Sequence, residues 1–212
     1  MLSTTARTRL GRSKERGSDD REDLYEVLDT GLICHLGVVT DGYPMVVPTA
    51  YGRVGDTLYL HGSTGARSLR AAAGAEVCVT VTHLDGIVLA RSVFHHSANY
   101  RSAIVYGRAR LVTDEEERMA ALRALTEQLA PGQWEYARPP DRKELAATAV
   151  LALPLDEASV KIRRGAPSDE EDDYALPLWA GVLPLVTTWG EPVPDPALSD
   201  GIGIPVHIRN RK

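Results

Sequence analysis

Two adjacent histidines, a tyrosine, an arginine and two serines lie within residues 94–102, which read FHHSANYRS. Side chains of these types can bind a metal ion, activate a nucleophile or line a cofactor pocket. Because neighbouring side chains on a strand point to opposite faces, His95 and His96 can converge on one ion only if the segment is a loop. The chain has no HExxH motif and no third ligand at a telling spacing, so the pattern disfavours a metal site.

A second polar stretch, residues 61–68, reads HGSTGARS. A GxSxG serine elbow would need glycine where His61 stands, which disfavours a serine hydrolase. Its hydroxyls, the free backbone N–H groups of a helix start and Arg67 in the first turn suit an anion such as phosphate. The stretch matches neither the P-loop nor the GxGxxG fingerprint, and an ordinary strand-to-helix turn explains it equally well.

The composition limits the class of protein to which these residues can belong. The chain has 212 residues, 43% hydrophobic and 25% charged, with a net charge of −5 and no apolar run long enough to span a bilayer. The negative charge argues against a nucleic-acid-binding protein and favours a small molecule or another protein as partner. Cys34 and Cys78 sit in apolar, strand-like runs that predict buried thiols. The basic N-terminus lacks a hydrophobic signal region, so we expect a cytoplasmic protein that does not bind membranes.

The elements that must position the polar residues follow from the hydrophobic pattern. Leu24, Val27 and Leu28 predict a short helix that ends at Gly31. Alternating runs joined by turns of two to four residues then predict antiparallel hairpins over residues 32–63. Pro48 lies inside one of these strands and cannot donate to a ladder, which indicates an edge, a bulge or the lip of a pocket.

Further helices are predicted between the strands. Residues 65–74 (GARSLRAAAG) predict a short helix, and Thr113 with Glu116 predicts a capping box at the start of a longer one. Met119, Leu122, Leu125 and Leu129 predict the buried stripe of this longer helix. The whole pattern is typical of a mainly β protein, an antiparallel barrel with helical insertions.

Three regions are expected along the chain. Residues 1–20 predict a flexible basic arm, and residues 21–166 a single barrel domain. Residues 167–212 contain an acidic run and a proline-rich tail, which predict an arm packing on the barrel or on a partner subunit.

Five fragments in this order, LICHLGVV, YPMVVPTAYGRV, TLYLHGSTGARSLRA, VCVTVT and NYRSAIVYGRARLV, resemble the pyridoxamine 5'-phosphate oxidase-like superfamily. Within it, the chain is most similar to the nitroimidazole-resistance-like flavin-nucleotide-binding branch. The resemblance covers residues 22–165 and extends to LPLWAGVLPL in the C-terminal arm. It implies a six-stranded antiparallel split β-barrel that forms a homodimer with FMN at the interface.

The resemblance also implies positions for the cofactor. The strand beside the flavin ring corresponds to Val47, Pro48, Thr49 and Ala50, and the neighbouring strand end to His61, Gly62 and Ser63. Arg67 corresponds to the residue that pairs with the FMN phosphate. Tyr100, Arg101 and Ser102 correspond to the segment that closes over the cofactor, with Ser102 facing it and Arg101 on the opposite face. The remaining candidates are His95, His96 and Trp179.

The function implied by the resemblance is an FMN-dependent oxidoreductase. It would take electrons from a reduced nicotinamide and pass them to a small nitroaromatic or quinone-like acceptor. Vitamin B6 oxidation is disfavoured, because no arginine accompanies Trp179 in the C-terminal motif region. Two alternatives stay open: a flavin carrier or sensor without turnover, and a haem-binding protein with His61, His95 or His96 as axial ligand.

Overall fold

The structure is a computed structural model that describes residues 1–211. Its strands are β1 (Gly17–Ser18), β2 (Ile33–Thr40), β3 (Tyr43–Val54), β4 (Thr57–Ser63), β5 (Glu76–Leu89), β6 (Ser97–Arg108), β7 (Arg110–Leu111), β8 (Thr148–Pro154), β9 (Glu157–Arg163) and β10 (Gly181–Pro184). Its α-helices are α1 (Arg21–Thr30), α2 (Arg67–Ala72), α3 (Glu115–Leu129), α4 (Gln133–Tyr136), α5 (Arg142–Ala147) and α6 (Val206–Arg209). Short 3₁₀ helices cover Lys14–Arg16, Val93–His95 and Glu171–Ala175.

The predicted hairpins of β2, β3 and β4 are present. Asp41 and Gly42 both have positive φ, 51° and 81°, and Thr40 pairs directly with Tyr43. Two residues of positive φ between paired strands suit the right-handed twist of a hairpin, which is why Asp-Gly is favoured there. Gly55, with φ 55°, performs the same role between β3 and β4.

The strands form one antiparallel path in the order β1-β9-β6-β5-β2-β3-β4-β8-β7, with β10 added to β5. Only Ala109 separates β6 from β7, so the chain connects the last strand of this path directly to its third strand. β3 belongs to both halves, because residues 43–50 pair with β2 and residues 51–54 pair with β4. This is the predicted mainly β, antiparallel split barrel.

The core fills the barrel interior. α1 contributes Leu24, Val27 and Leu28, all fully buried, and meets Tyr51 from β3, whose hydroxyl donates to the Leu28 carbonyl oxygen at 2.5 Å. Each such apolar side chain contributes about 1.5–3 kcal/mol through its burial. A second, smaller cluster joins the outer side of β4 and β8 to α3 through Tyr59, Val150 and Leu125, among others. α3 is therefore attached to the outside of the barrel.

Two local expectations, the cap of α3 and the strand parity of His95 and His96, are corrected. Asp114, rather than Thr113, caps α3 by accepting the N–H of Glu117 at 2.8 Å. Residues 76–89 form a single bulged strand, and residues 148–163 form two consecutive strands, β8 and β9, that pair with different neighbours. His95 ends a 3₁₀ helix and His96 is its C-cap, so strand alternation does not separate their side chains.

The segment after β9 is largely extended. Its β10 pairs with the second half of β5, and α6 contacts α4, where His207 Nε2 lies 2.9 Å from Gln133 Oε1. The domain division predicted from the sequence stays a prediction. Within residues 1–211, every helix is too short or too polar to cross a membrane.

Candidate functional site

The barrel splits between β3 and β4. Among the described residues, β4 pairs with β3 only as far as Tyr51 and Leu60, which leaves residues 45–50 of β3 and 61–63 of β4 without each other as partners. Unpaired strand edges present backbone N–H and C=O groups that a planar polar ligand can bind. Pro48 lies on this edge, where its missing N–H breaks no ladder bond.

Several predicted cofactor residues surround this split, at positions 47–50 and 61–63 and at Arg67. Pro48 and Ala50 lie on the outer face of the sheet, whereas Val47 and Thr49 have the alternation of the buried Tyr51. Arg67 begins α2 and donates to Asp41 Oδ2 at 2.7 Å, and both side chains are mostly exposed. An anionic ligand could therefore compete with Asp41 for this guanidinium.

The remaining predicted residues lie around the turn between β5 and β6. Asp169 anchors this turn, because its fully buried carboxylate accepts the backbone N–H groups of Arg91 and Ser92 at 2.9 and 3.2 Å. Desolvation alone would raise the pKa of Asp169, but these N–H groups and the Arg91 guanidinium together hold it below its usual value. His95 Nε2 lies 3.5 Å from Glu170, and His96 Nδ1 accepts the N–H of Ala90 at 3.1 Å.

Four candidates remain: three lie on β6, which follows this turn, and the fourth, Trp179, lies just before β10. Ser102 and Arg101 lie on opposite faces of β6: Ser102 donates to the Lys161 carbonyl oxygen at 3.4 Å, while Arg101 forms two hydrogen bonds with Asp85. Tyr100 shares the face of Ser102. Trp179 is 70% exposed and lies against Gly181 at the start of β10.

Within one chain, His95 and His96 lie far from the row of strand residues that contains Pro48. Pro48 pairs with His35, His35 with Thr80 and Thr80 with Ile104, so they form one row across the sheet. Ser97, which follows His96, is seven residues from Ile104 along β6, roughly 24 Å at strand rise. Tyr100 and Ser102 lie nearer to this row, four and two residues from Ile104.

The His61 side chain faces a cavity outside the barrel. It shares the alternation of Tyr59 and points from β4 toward α3, into a cavity of about 490 Å³. The cavity walls are mainly apolar and come from β4, β8, α3, α4, α5 and the loop before α5: His61, Leu122, Leu125, Thr126, Leu129, Trp134, Ala137, Arg138, Pro139, Pro140, Glu144, Leu145 and Thr148. This volume lies within the range of about 300–1,000 Å³ that is typical of pockets for small organic ligands and cofactors.

The His61 imidazole is suited to metal ligation. Burial lowers its pKa, so the ring is neutral at physiological pH. Its Nδ1 is buried and has no hydrogen-bond partner among the described residues. Unpartnered buried polar atoms are uncommon and costly.

Ionic contacts hold the walls of the cavity in place. Glu127 accepts the N–H groups of Gly132 and Trp134 at 2.7 and 2.9 Å, which fixes the turn that carries the Trp134 side chain. These hydrogen bonds lower the pKa of Glu127. At the rim, Arg138 donates to Glu144 at 2.5 Å and lowers the pKa of that carboxyl group to about 2.

The sequence interpretation missed most of this cavity. Leu122, Leu125 and Leu129 were predicted as a stripe packed in the core, and the helical spacing was correct. Leu125 is indeed buried, but the stripe also lines the cavity, together with Trp134 and Leu145. No sequence signal pairs these residues with His61, since they meet only through the packing of α3, α4 and α5 on β4.

An antiparallel barrel split along two strand edges is the architecture of the flavin-binding split barrels. The family model described as pyridoxamine 5'-phosphate oxidase matches residues 20–162. The chain therefore belongs to the pyridoxamine 5'-phosphate oxidase family, which confirms the sequence resemblance. Among the curated proteins compared with the chain, none matches it.

Two solved structures are similar to this chain over most of its length. The flavocytochrome Anf3 from Azotobacter vinelandii is 39% identical, with a TM-score of 0.94, over 100% of this chain and 99% of that one. The FAD and haem binding protein from Mycobacterium smegmatis is 42% identical, with a TM-score of 0.88, over 92% and 97%. A Bacteroides thetaiotaomicron structure named for 5-nitroimidazole antibiotic resistance is 22% identical over 69% and 86%, with a TM-score of 0.58, and shares the fold.

Proposed function

We propose that this protein is a redox protein that binds both a flavin and a haem. The observation that carries the proposal is His61, a neutral histidine with an unpartnered buried nitrogen in the wall of an apolar cavity. The similar proteins named as a flavocytochrome and as an FAD and haem binding protein support it.

The cavity residues fit a haem. Haem iron is commonly held by a neutral histidine, and its macrocycle requires an apolar pocket. Of the three histidines considered as axial ligands, His61 lies in such a cavity, whereas His95 and His96 make polar contacts in the turn between β5 and β6. A bound haem would supply one-electron chemistry, and His61 would hold its iron.

The split between β3 and β4 is the proposed flavin site. Strand-edge backbone at residues 47–50 would run along the ring, and Arg67 would exchange Asp41 for a phosphate of the cofactor. The 42%-identical relative is named for FAD, and we therefore favour FAD over the FMN predicted from the sequence. Mass spectrometry of the flavin released from purified protein distinguishes the two.

We also propose that two copies of the chain complete the flavin site. The outer sheet face carries exposed Ile33, Val39 and Val46, and the turn between β5 and β6 presents Val93 and Phe94, which are 84% and 88% exposed. Exposed apolar side chains clustered in this way, on the sheet face and in the turn, are typical of protein interfaces. A second copy placed against these side chains would supply the candidates that one chain holds too far away. Light scattering of the purified protein tests the dimer, and a monomer would contradict it.

Adjacent residues of β4 would connect the two sites. Gly62 and Ser63 reach the split edge, while the side chain of His61 enters the cavity on the other side of the same strand end. Electrons could then pass from a nicotinamide donor through the flavin to the haem and on to an acceptor. The donor and acceptor classes are those predicted from the sequence resemblance.

Absorption spectroscopy of the purified protein tests this function. We expect flavin bands together with a Soret band, and His61→Ala should lose the Soret band while it keeps the flavin bands. A protein that binds neither cofactor when both are added would refute the proposal. Adding NADH or NADPH tests turnover: bleached flavin supports an oxidoreductase, whereas unchanged flavin favours the carrier alternative.

A further inference from the structure

A second pocket, of about 500 Å³, adjoins the His61 cavity. Its lining combines the start of α3 with α5: Thr113, Glu115, Arg118, Arg142, Leu145 and Ala146. Its chemistry differs from that of the apolar cavity, because two guanidinium groups line it.

Both arginines lack a partner within the described residues. Neither Arg118 nor Arg142 forms a salt bridge, and Nε of Arg118 is buried without a hydrogen bond. By contrast, the nearby Arg110 and Arg138 each pair with a glutamate. Glu115 lines the same pocket but forms no salt bridge with either arginine. Guanidinium groups near one another repel unless an anion lies between them, and they bind carboxylates through paired N–H donors.

The two pockets are neighbours along α3 and α5. Arg118 lies one helical turn before Leu122, so it shares the face of α3 that lines the His61 cavity. Leu145 of α5 lines both pockets. The lining along α3 and α5 is thus mainly apolar in the His61 cavity, whereas Arg118 and Arg142 line the neighbouring pocket.

We infer that Arg118 and Arg142 bind the carboxylate groups of the ligand that occupies the His61 cavity. The inference rests on the proposed function, in which that ligand is haem, whose two propionates supply the anionic end. The carboxylates would accept hydrogen bonds from the two guanidinium groups and separate the two cations, and the leucines of α3 would provide the apolar surface for the rest of the ligand.

Titrations of the full chain, freed of haem, with haem and with haem dimethyl ester test the inference. The ester keeps the iron and the macrocycle but lacks the negative charges. We expect the wild-type protein to bind haem about tenfold or more tightly than the ester, as expected for charge-assisted hydrogen bonds. Arg118→Gln with Arg142→Gln should remove this preference and leave ester affinity unchanged. Arg12→Gln, at an exposed position of the N-terminal arm, serves as the charge control.

The titrations test the role of the two arginines separately from haem binding itself. A double variant that keeps the preference for haem refutes the inference, as does one that loses affinity for both ligands equally, because that result indicates a distorted cavity. If the wild-type protein gives a Soret shift with haem, the proposed function survives either result. If it binds neither ligand, the proposed function is wrong and this inference fails with it.

Discussion

Replacing His61 by leucine should separate stability from cofactor binding. Leucine is similar in volume to histidine and apolar, so it can fill the same place in the cavity wall without a buried nitrogen that lacks a partner. We expect His61→Leu to make the haem-free protein more stable and to abolish the gain in stability that haem gives. The two effects have opposite signs and are measured on the same variant.

The size of the expected gain in stability without haem follows from the environment of His61 Nδ1. A buried polar atom without a hydrogen bond costs about 1–3 kcal/mol, and removing it recovers part of that cost. Because the ring is only partly buried and one side faces the cavity, we expect the lower end, about 1 kcal/mol at pH 7.5. The variant should therefore unfold at a higher urea concentration with an unchanged m-value.

The difference in unfolding free energy between His61→Leu and the wild type should grow at lower pH. Burial lowers the pKa of His61 in the folded protein, whereas an unfolded histidine has a pKa of about 6.5. As the pH falls below this value, the unfolded chain binds a proton that folded His61 does not, so the wild-type protein loses stability. The loss is at most about 1.4 kcal/mol per pH unit and ends at the folded pKa. Leucine removes this contribution, so the advantage of the variant should widen below pH 6.5.

Urea unfolding at several pH values, with and without added haem, provides the measurement. Haem should stabilise the wild-type protein by mass action and leave the variant unchanged. His96→Leu is the control, because that imidazole lies outside the cavity and already accepts the N–H of Ala90. If haem-free His61→Leu were less stable than the wild type by 1 kcal/mol or more at pH 7.5, the imidazole would have to make a stabilising hydrogen bond. The reasoning from Nδ1 would then be wrong.

Three further predictions concern other parts of the molecule. Arg67→Ala should weaken flavin binding by about 1.5–3 kcal/mol if its guanidinium contacts a phosphate, and an affinity equal to that of Arg12→Ala in fluorescence titrations would exclude it. Gly52→Ala should cost about 2–3 kcal/mol in urea unfolding, because the new Cβ would lie 2.6 Å from the Leu125 backbone nitrogen; unchanged stability would show that α3 moves freely. Asp169→Asn should lower stability above about pH 4, where the folded carboxylate is charged, and the difference should shrink as the pH falls through its lowered pKa; a constant difference would contradict this.

The fold was predictable because its signals are local. Residues 41–44 predict a turn, and the alternation on either side predicts paired strands with one buried face. The turn itself is only Asp41 and Gly42, and the strand resumes at Tyr43. Of the three positions predicted for Pro48, it occupies an edge, beyond the last residue pair between β3 and β4. The start of α3 was wrong by one residue, because both Thr113 and Asp114 can cap and Asp114 satisfies the N–H of Glu117.

The site was less predictable because it depends on non-local packing. Strand alternation turns the His61 ring away from the interior, but only the docking of α3 on Gly52 creates a cavity there. The turn at His95 and His96 is held by Asp169, more than seventy residues further along the chain. Neither relation leaves a periodic or motif-like trace in the sequence.

The position of α3 also explains how a single barrel can serve two ligands. α3 covers the outer face of β3 from Gly52 onward, where the glycine permits helix and strand backbones to touch, and leaves the same face open at Pro48 and Ala50. The open part adjoins the split proposed for the flavin, and the covered part adjoins the cavity proposed for the haem. A side chain at position 52 would push α3 outward and enlarge the cavity. Gly52→Ala should therefore weaken haem binding more than flavin binding, and equal loss of both would contradict this division of the barrel surface.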